Sequence, residues 1–548
     1  MSLIDKIFPD PLPSVEEIEK KYAPRALPEG AKVTRIAPSP TGFMHIGGIY
    51  SALISERIAH QSGGVFYLRI EDTDTKREVE GATDLISSSL GAYGLAPDEG
   101  VDVSGVEHGN YGPYSQSCRR EIYQAYIKKL LEEGRAYPCF STVEELERIR
   151  KGQEVRGERL GYYGSWALSR GLSAEEAEAR IDAGVPYVIR YKSLGDYNHK
   201  ITVNDTIKGK REFPDNDLDI VIMKSDRLPT YHFAHVVDDH LMGTTDVIRG
   251  DEWMPSLPLH IQLFREMGWK VPRYAHIAPI QKMDGSSKRK LSKRKDPEAS
   301  VTFYDEEGYS HEAVVEYLLN LANSNFEDWR KQNPSADYHD FPFSLKKMNN
   351  SGALFDFTKL NSVSREVIGR MSADEVFERA HAWAKTYDVD LAARMESNRG
   401  YVRSIFNIER EGVRNVRKDI SKWSDVKEEI RYFFDDQFSL NREAFESQLS
   451  DNLRKDWPEM VRLFAEGYNP EESKDEWFGR MLEIAAGLGY ARNGKEYKAA
   501  PENFRGDISD VVKVFRVLIT GKTQSPDLYS IMRVMGPERV LKRVNAFN

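Results

Sequence analysis

The chain has 548 residues, 40% of them hydrophobic and 30% charged, and a formal net charge of −10. That length predicts three to five domains at roughly 100–200 residues each, and no apolar run approaches the ~20 residues that span a bilayer, so no membrane-spanning helix is expected. Two cysteines exclude a disulfide framework and point to a reducing cytoplasm, and the acidic balance argues against a protein that is basic all over, while leaving room for a local basic groove.

Residues 1–30 are Pro-rich and acidic, with no apolar signal-peptide core, and read as a polar extension. A short apolar run at 33–37 predicts a strand, followed by a Pro/Gly loop and a helix over 49–61. A second buried strand is expected at 65–70, ending in Glu71-Asp72-Thr73-Asp74, then a helix over 78–93 and a Gly/Asp/Pro loop to 113. Strand, helix, strand, helix at this spacing predicts a parallel sheet covered by helices.

The stretch 119–131 places Ile122, Tyr126, Ile127 and Leu130 on one helical face. Capping-box patterns at 142–145 and 173–176 should start two further helices. Short β-like runs follow at 187–191 and 201–203, so 117–220 reads as an α+β insertion. A strand at 218–223, a helix at 230–241, a strand end at 247–250, a helix at 255–267 and a strand at 274–280 read as the second half of the sheet. A basic run fills 282–295; from about 310 the chain turns helical, and 371–548 has the composition of a helical bundle.

Two stretches carry chemistry. The loop that leads into the first helix ends in His45-Ile46-Gly47-Gly48. Unpaired backbone N–H groups at such a helix start bind anions, and glycines let a phosphate approach the backbone. A Gly-rich turn with a capping histidine is the plain alternative. The basic run offers ammonium groups on a Gly/Ser-flexible loop that can close over a polyphosphate, or it is a solvated charge run. Its place directly after the last sheet strand favours phosphate chemistry, because ligands of such sheets bind at the carboxyl edge.

His45-Ile46-Gly47-Gly48 resembles the HIGH signature of class I aminoacyl-tRNA synthetases, and Lys290-Leu291-Ser292-Lys293-Arg294 resembles their KMSKS loop. Arg35-Ile36-Ala37-Pro38-Ser39-Pro40-Thr41-Gly42, Arg69-Ile70-Glu71-Asp72-Thr73-Asp74 and the runs 231–243 and 246–253 are similar to the glutamyl-tRNA synthetase family, bacterial type, from about residue 32 to 548. Glutaminyl relatives carry Pro-Glu-Pro where this chain has Pro38-Ser39-Pro40. The resemblance implies a Rossmann-type α/β catalytic domain in two halves (31–116 and 221–280), an acceptor-end-binding insertion (117–220), a KMSKS loop and stem-contact domain (281–370) and an all-α anticodon-binding half (371–548), with 1–30 as an extension. It implies a glutamate–tRNA ligase that uses ATP with Mg²⁺, L-glutamate and tRNA(Glu), acts as a monomer in the cytoplasm, and leaves open whether tRNA(Gln) is also charged.

The same resemblance assigns the residues. Arg35, Ala37, Ser39, Glu71, Tyr231, His235 and Arg249 would hold glutamate. The arginines suit its carboxylates, Glu71 its ammonium, and Tyr231 and His235 lie four apart on one helical face. The family often has Asn at the position of His235. His45, Gly48, Glu252, Trp253, Lys290, Leu291, Ser292, Lys293 and Arg294 would hold ATP, with His45, Gly47, Gly48, Lys290 and Lys293 carrying catalysis. No metal ligands are assigned. Some relatives bind zinc through Cys-x-Cys, but Cys139-Phe140-Ser141 offers one thiol, so no structural zinc is expected. The run 71–76 lacks the Gly and distal Glu of a calcium loop. One rival is an enzyme of another substrate class, either a truncated relative, opposed by the stretch 371–548, or a small-molecule adenylyltransferase with a similar nucleotide motif; the other is a non-catalytic RNA-binding or scaffolding protein, opposed by both signatures.

Overall fold

The computed structural model describes residues 2–74 and 79–547. It comprises two compact units, Met1–Phe303 with Val315–Asp356, and Tyr304–Val314 with Phe357–Asn548. The expected start of the helix at 78–93 lies outside the described residues; the described helix runs Ala82–Ala92.

The first unit is built on two parallel strand pairs. β1 (Val33–Ile36) pairs with β2 (Val65–Leu68), and α1 (Ile46–His60) connects them. After a long excursion the chain returns through α2 (Tyr231–Leu241) to β3 (Asp246–Gly250), α3 (Leu257–Glu266) and β4 (Arg273–Ile277), with β3 and β4 parallel. The pairs meet where the Thr245 N–H donates to the Val33 carbonyl at 2.9 Å. β1 is buried at every position. α1 buries Ile46, Ile49 and Leu53 on one side, Ile54 and Ile58 on a second and Ala52 and Ala59 on a third, which is the all-round burial of a crossover helix inside an α/β layer.

Three expectations are corrected. The run at 218–223 does not resume this sheet: Val221–Met223 pairs antiparallel with Val188–Tyr191, which pairs with Ala136–Cys139. Three apolar residues fit either sheet; the neighbouring Asp219 decides, because its carboxylate accepts from the Tyr137 hydroxyl at 2.7 Å and the Ser193 N–H at 2.8 Å, both in the excursion. Residues 1–30 are more than a polar extension. The helices Leu3–Ile7 and Val15–Lys21 each start on a capping box and bury Ile7, Phe8, Ile18 and Tyr22 in one cluster with Ile122 and Tyr126. The basic run is not a plain loop either. Its first part is a hairpin, Gln281–Asp284 against Ser287–Lys290, turned by Gly285 at φ 60° and Ser286.

A second hairpin, Lys200–Asp205 with Gly209–Pro214, lays its turn against β4, the Thr206 N–H donating to the Tyr274 carbonyl at 2.8 Å. The second unit has no β-strand among its described residues. Its helices include Ala373–Tyr387, which begins on a capping box formed by Ser372 and Glu375, and Asp451–Gly467, which buries Trp457 and Met460.

Candidate active site

The carboxyl ends of β1 and β3 and the start of α1 open onto one cavity of about 410 Å³. Arg35, Ala37, Ser39, His45, Gly47, Gly48, Glu71, Tyr231, Arg249, Glu252, Trp253 and Lys290 all line it. Residues separated by more than two hundred positions thus meet at the edge where ligands of open α/β sheets bind.

His45 caps α1. Its Nδ1 accepts the Gly47 N–H at 2.8 Å, and its carbonyl accepts the Gly48 N–H at 2.7 Å. A Cβ on Gly47 would stand 3.0 Å from that ring nitrogen. Burial, then the ammonium groups of Lys293 and Lys290, lower the His45 pKa against the opposing pull of the Leu291 carbonyl. The ring is therefore neutral at pH 7, with its proton on Nε2 as a donor.

Arg35 is 4% exposed and anchored behind the cavity: Nε donates to Asp239 Oδ1 and Nη1 to the Ile248 carbonyl, both at 3.3 Å. Asp239 also accepts from Arg69 Nη1 at 2.6 Å, and Arg69 Nη2 donates to Glu71 Oε1 at 3.0 Å. Burial pushes the Asp239 carboxyl up, but Arg35, His235 and Arg69 together hold it well below the usual range. Burial raises the Glu71 carboxyl, opposed by Arg69 and Arg35. The neighbouring Asp238 faces the other way, accepting from Arg119 Nε at 2.7 Å and from Gln116 and the Tyr123 hydroxyl at 2.8 Å each, which ties α2 to the segment 116–123.

Arg249, 6% exposed, is held differently. Its Nε donates to His276 Nε2 at 3.1 Å, its Nη1 lies 3.1 Å from His260 Nδ1, and its Nη2 donates to the Trp253 carbonyl at 3.3 Å. The first contact follows from register, since Arg249 and His276 are direct partners across β3 and β4. Tyr231 packs its ring 4.5 Å from that of Trp253, which stays 37% exposed at the cavity rim.

The catalytic-domain model of the class I tRNA synthetases (E and Q) matches residues 32–360, and an anticodon-binding-domain model matches 494–547. The chain is 50% identical over 544 residues to a glutamate–tRNA ligase of Clostridium perfringens (strain 13 / Type A), covering 99% of each chain. It is 44% identical to a glutamate–tRNA ligase of Sorangium cellulosum (strain So ce56), covering 97% of each. Among solved structures, a glutamate tRNA ligase from Elizabethkingia meningosepticum CCUG26117, in complex with its amino acid, superposes with a TM-score of 0.73 at 29% identity, covering 94% of this chain and 98% of that one. The chain belongs to the glutamate–tRNA ligase family.

Against that family, the sequence-expected residues divide into two groups. Twelve line the cavity as described. Leu291, Ser292, Lys293, Arg294 and His235 are not among its lining. Leu291 is buried, the Ser292 N–H donates to Asp296 at 2.9 Å, and Lys293 donates to the Phe43 carbonyl of the loop before His45. Lys290 pairs with Glu252 at 3.1 Å, both about half exposed, a contact of little net worth. His235 sits one layer behind Tyr231 rather than beside it in the wall: fully buried, its ring stacks 5.8 Å from Tyr231, and its Nδ1 lies 3.0 Å from Asp239 Oδ2. A separation of four puts both rings on one face, but Asp239, four further on, draws His235 inward. Burial pushes the His235 pKa down to about 3 against the pull of Asp239, so the ring is neutral.

Sequence reasoning missed the residues behind the wall. Asp239 and Arg69 stood inside quoted ligase-family runs, and two adjacent carboxylates in an apolar helix were the available signal. His260, His276 and Asp205 gave none: the contact of His276 with Arg249 depends on strand register, and that of Asp205 Oδ2 with His276 Nδ1, at 2.7 Å, on a hairpin far away in sequence. The two Clostridium perfringens ligases match 99% and 100% of this chain, so the N-terminal helices also lie within the ligase likeness, beyond the span 32–548 read from motifs.

Proposed function

We propose that the protein joins L-glutamate to the 3′ end of tRNA(Glu) in two steps. The glutamate α-carboxylate attacks the α-phosphorus of ATP and pyrophosphate leaves, giving glutamyl-adenylate. A terminal ribose hydroxyl of tRNA then takes the glutamyl group and AMP leaves. The observation that carries this reading is the single cavity in which an anion-binding helix start, a lysine from the basic hairpin and two buried arginines meet. No side-chain nucleophile is needed; positioning and charge stabilisation do the work.

In this reading Arg249 holds the side-chain carboxylate through a guanidinium fork. Arg35 steadies the carboxylate end of the amino acid, Glu71 takes its ammonium, and Tyr231, Ala37 and Ser39 shape the pocket. His45 donates from Nε2 to phosphate, the backbone at Gly47 and Gly48 admits it closely, and Lys290 and Lys293 offset charge on the departing pyrophosphate. Glu252 and Trp253 border the nucleotide. ATP enters as its Mg²⁺ complex, with the ion carried on phosphate oxygens. The 117–220 excursion would hold the acceptor end, the 281–370 segment the stem, and the helical 371–548 stretch the anticodon, where splayed bases stack on arginine and aromatic faces. One chain supplies every residue named, which fits a monomer charging tRNA in the cytoplasm. No helix among the described residues is long and apolar enough to cross a membrane.

The test is ATP–pyrophosphate exchange and transfer of labelled glutamate, each with tRNA(Glu), with tRNA(Gln) and without tRNA. Glutamate-dependent exchange together with charging of tRNA(Glu) is the expected result. Exchange driven by another amino acid, or glutamate transfer to no tRNA, would overturn it.

A further inference from the structure

Arg249 raises a question of proton bookkeeping. A guanidinium has five N–H donors and no acceptor, and it stays charged. Every group facing it must therefore accept. His276 Nε2 takes the Nε proton at 3.1 Å, and His260 Nδ1 stands 3.1 Å from Nη1. Both ring nitrogens must be bare, so each histidine carries its proton on the other side.

Each other side has a partner. His276 Nδ1 lies 2.7 Å from Asp205 Oδ2. His260 Nε2 lies 3.0 Å from His232 Nδ1. Asp205 comes from the end of the Lys200–Asp205 strand, yet it is only 4% exposed. Its Oδ1 accepts the Ile207 and Lys208 N–H groups at 2.9 and 2.7 Å, and its Oδ2 accepts the His276 N–H at 3.1 Å besides the ring. The carboxylate is thus rigidly held by its own turn and can set the histidine tautomer, as outer carboxylates do behind metal-bound and catalytic histidines.

The count of donors shows what this achieves. Three of the five Arg249 protons are committed, to His276, His260 and the Trp253 carbonyl. The two that remain sit one on each terminal nitrogen, so a carboxylate approaching both terminal nitrogens finds a donor on each. Among the described residues no carboxylate forms an ion pair with Arg249, whereas Arg35 is already paired with Asp239.

We infer that Asp205 and His276 are positioning residues for recognition of the glutamate side chain: Asp205, reaching in from the 200–214 hairpin, fixes the His276 tautomer, and His276 turns Arg249 so that its free fork faces the cavity. The inference rests on the reading of Arg249 as the side-chain carboxylate ligand. It makes a hairpin outside the sheet part of amino-acid selection.

The test is a double-substitution cycle read by steady-state aminoacylation, with glutamate and ATP varied separately. In Asp205→Asn the carbonyl oxygen keeps the two turn contacts while the amide faces His276. The ring proton must then move to Nε2, donor against donor with Arg249. The expected result is a glutamate KM raised about 10- to 100-fold, the scale of one lost charge-assisted hydrogen bond, with kcat and the ATP KM changed less than about 3-fold. His276→Gln supplies a carbonyl at the Nε2 position whose orientation no longer depends on Asp205. In that background Asp205→Asn should cost less than about 3-fold in the glutamate KM, the coupling expected of one relay, whereas a merely structural role of Asp205 would lower kcat and raise the ATP KM as well. Equal losses in both backgrounds, or a parallel rise in the ATP KM, would overturn the inference. If Asp205→Asn does not fold, His276→Leu against His276→Gln carries the test; equal glutamate KM values for the two would overturn it. Arg249→Ala separates the two levels. If it raises the glutamate KM while Asp205→Asn does not, the relay fails and the Arg249 reading stands; if it leaves the glutamate KM unchanged, both fall.

Discussion

The cavity has two arginine walls that solve one problem in opposite ways. Arg35 sits in a lattice of charge, sharing Asp239 with Arg69, which also reaches Glu71. Arg249 sits among neutral rings, braced by His260 and His276. The first wall is neutralised before any ligand arrives, and its charges hold α2 against the sheet. The second leaves a buried cation with no ion-paired carboxylate among the described residues, and a cation so placed in a low-dielectric pocket attracts an anion strongly. A buried arginine is a structural element or a recognition element according to what stands behind it.

The contrast breaks most visibly at Asp239. Asp239→Asn leaves Arg35 and Arg69 buried with their shared counter-charge gone, and the expected loss is about 3–5 kcal/mol of unfolding free energy, measured by urea titration. A loss below about 1 kcal/mol would erase the distinction between the walls.

Acid sharpens the comparison by a smaller amount. The His235 pKa is pushed down to about 3, chiefly by burial, below an unfolded value near 6.5. Between those values the unfolded chain binds a proton that the folded chain refuses, so stability is fully present above pH ~6.5 and falls as the pH drops, by up to ~1.4 kcal/mol per pH unit. His232, His260 and His276 are lowered in the same direction by burial. The Asp239 carboxyl, held well below its usual value, contributes stability that is lost only at lower pH, below ~3.9. The histidine wall should therefore fail first on acidification. Thermal melting from pH 7 to 4.5 should be less steep in His235→Asn than in the unsubstituted chain; identical slopes would show that His235 is protonated in the fold.

Much of this was legible in the sequence, for reasons that mark the boundary of such reading. Local signals worked where chemistry is local: the glycine turn after His45, the capping boxes at 142–145 and 173–176 and the helical composition of 371–548 all reappear in the structure. Sheet membership was misread at Val221–Met223, because a short apolar run carries no information about its partner and the deciding group, Asp219, acts across the chain. The front of the site was legible because Arg35, Glu71, Tyr231, Arg249 and Lys290 fall in recognisable runs. Its back was not, because His276 meets Arg249 only when β4 registers against β3, and Asp205 meets His276 only when its hairpin turn docks.

The most direct test of the account is the kinetic signature of Arg249→Ala. The expected result is a glutamate KM raised about 100-fold or more, the scale of two lost charge-assisted hydrogen bonds, with the ATP KM within about 3-fold. A raised ATP KM beside an unchanged glutamate KM would contradict it.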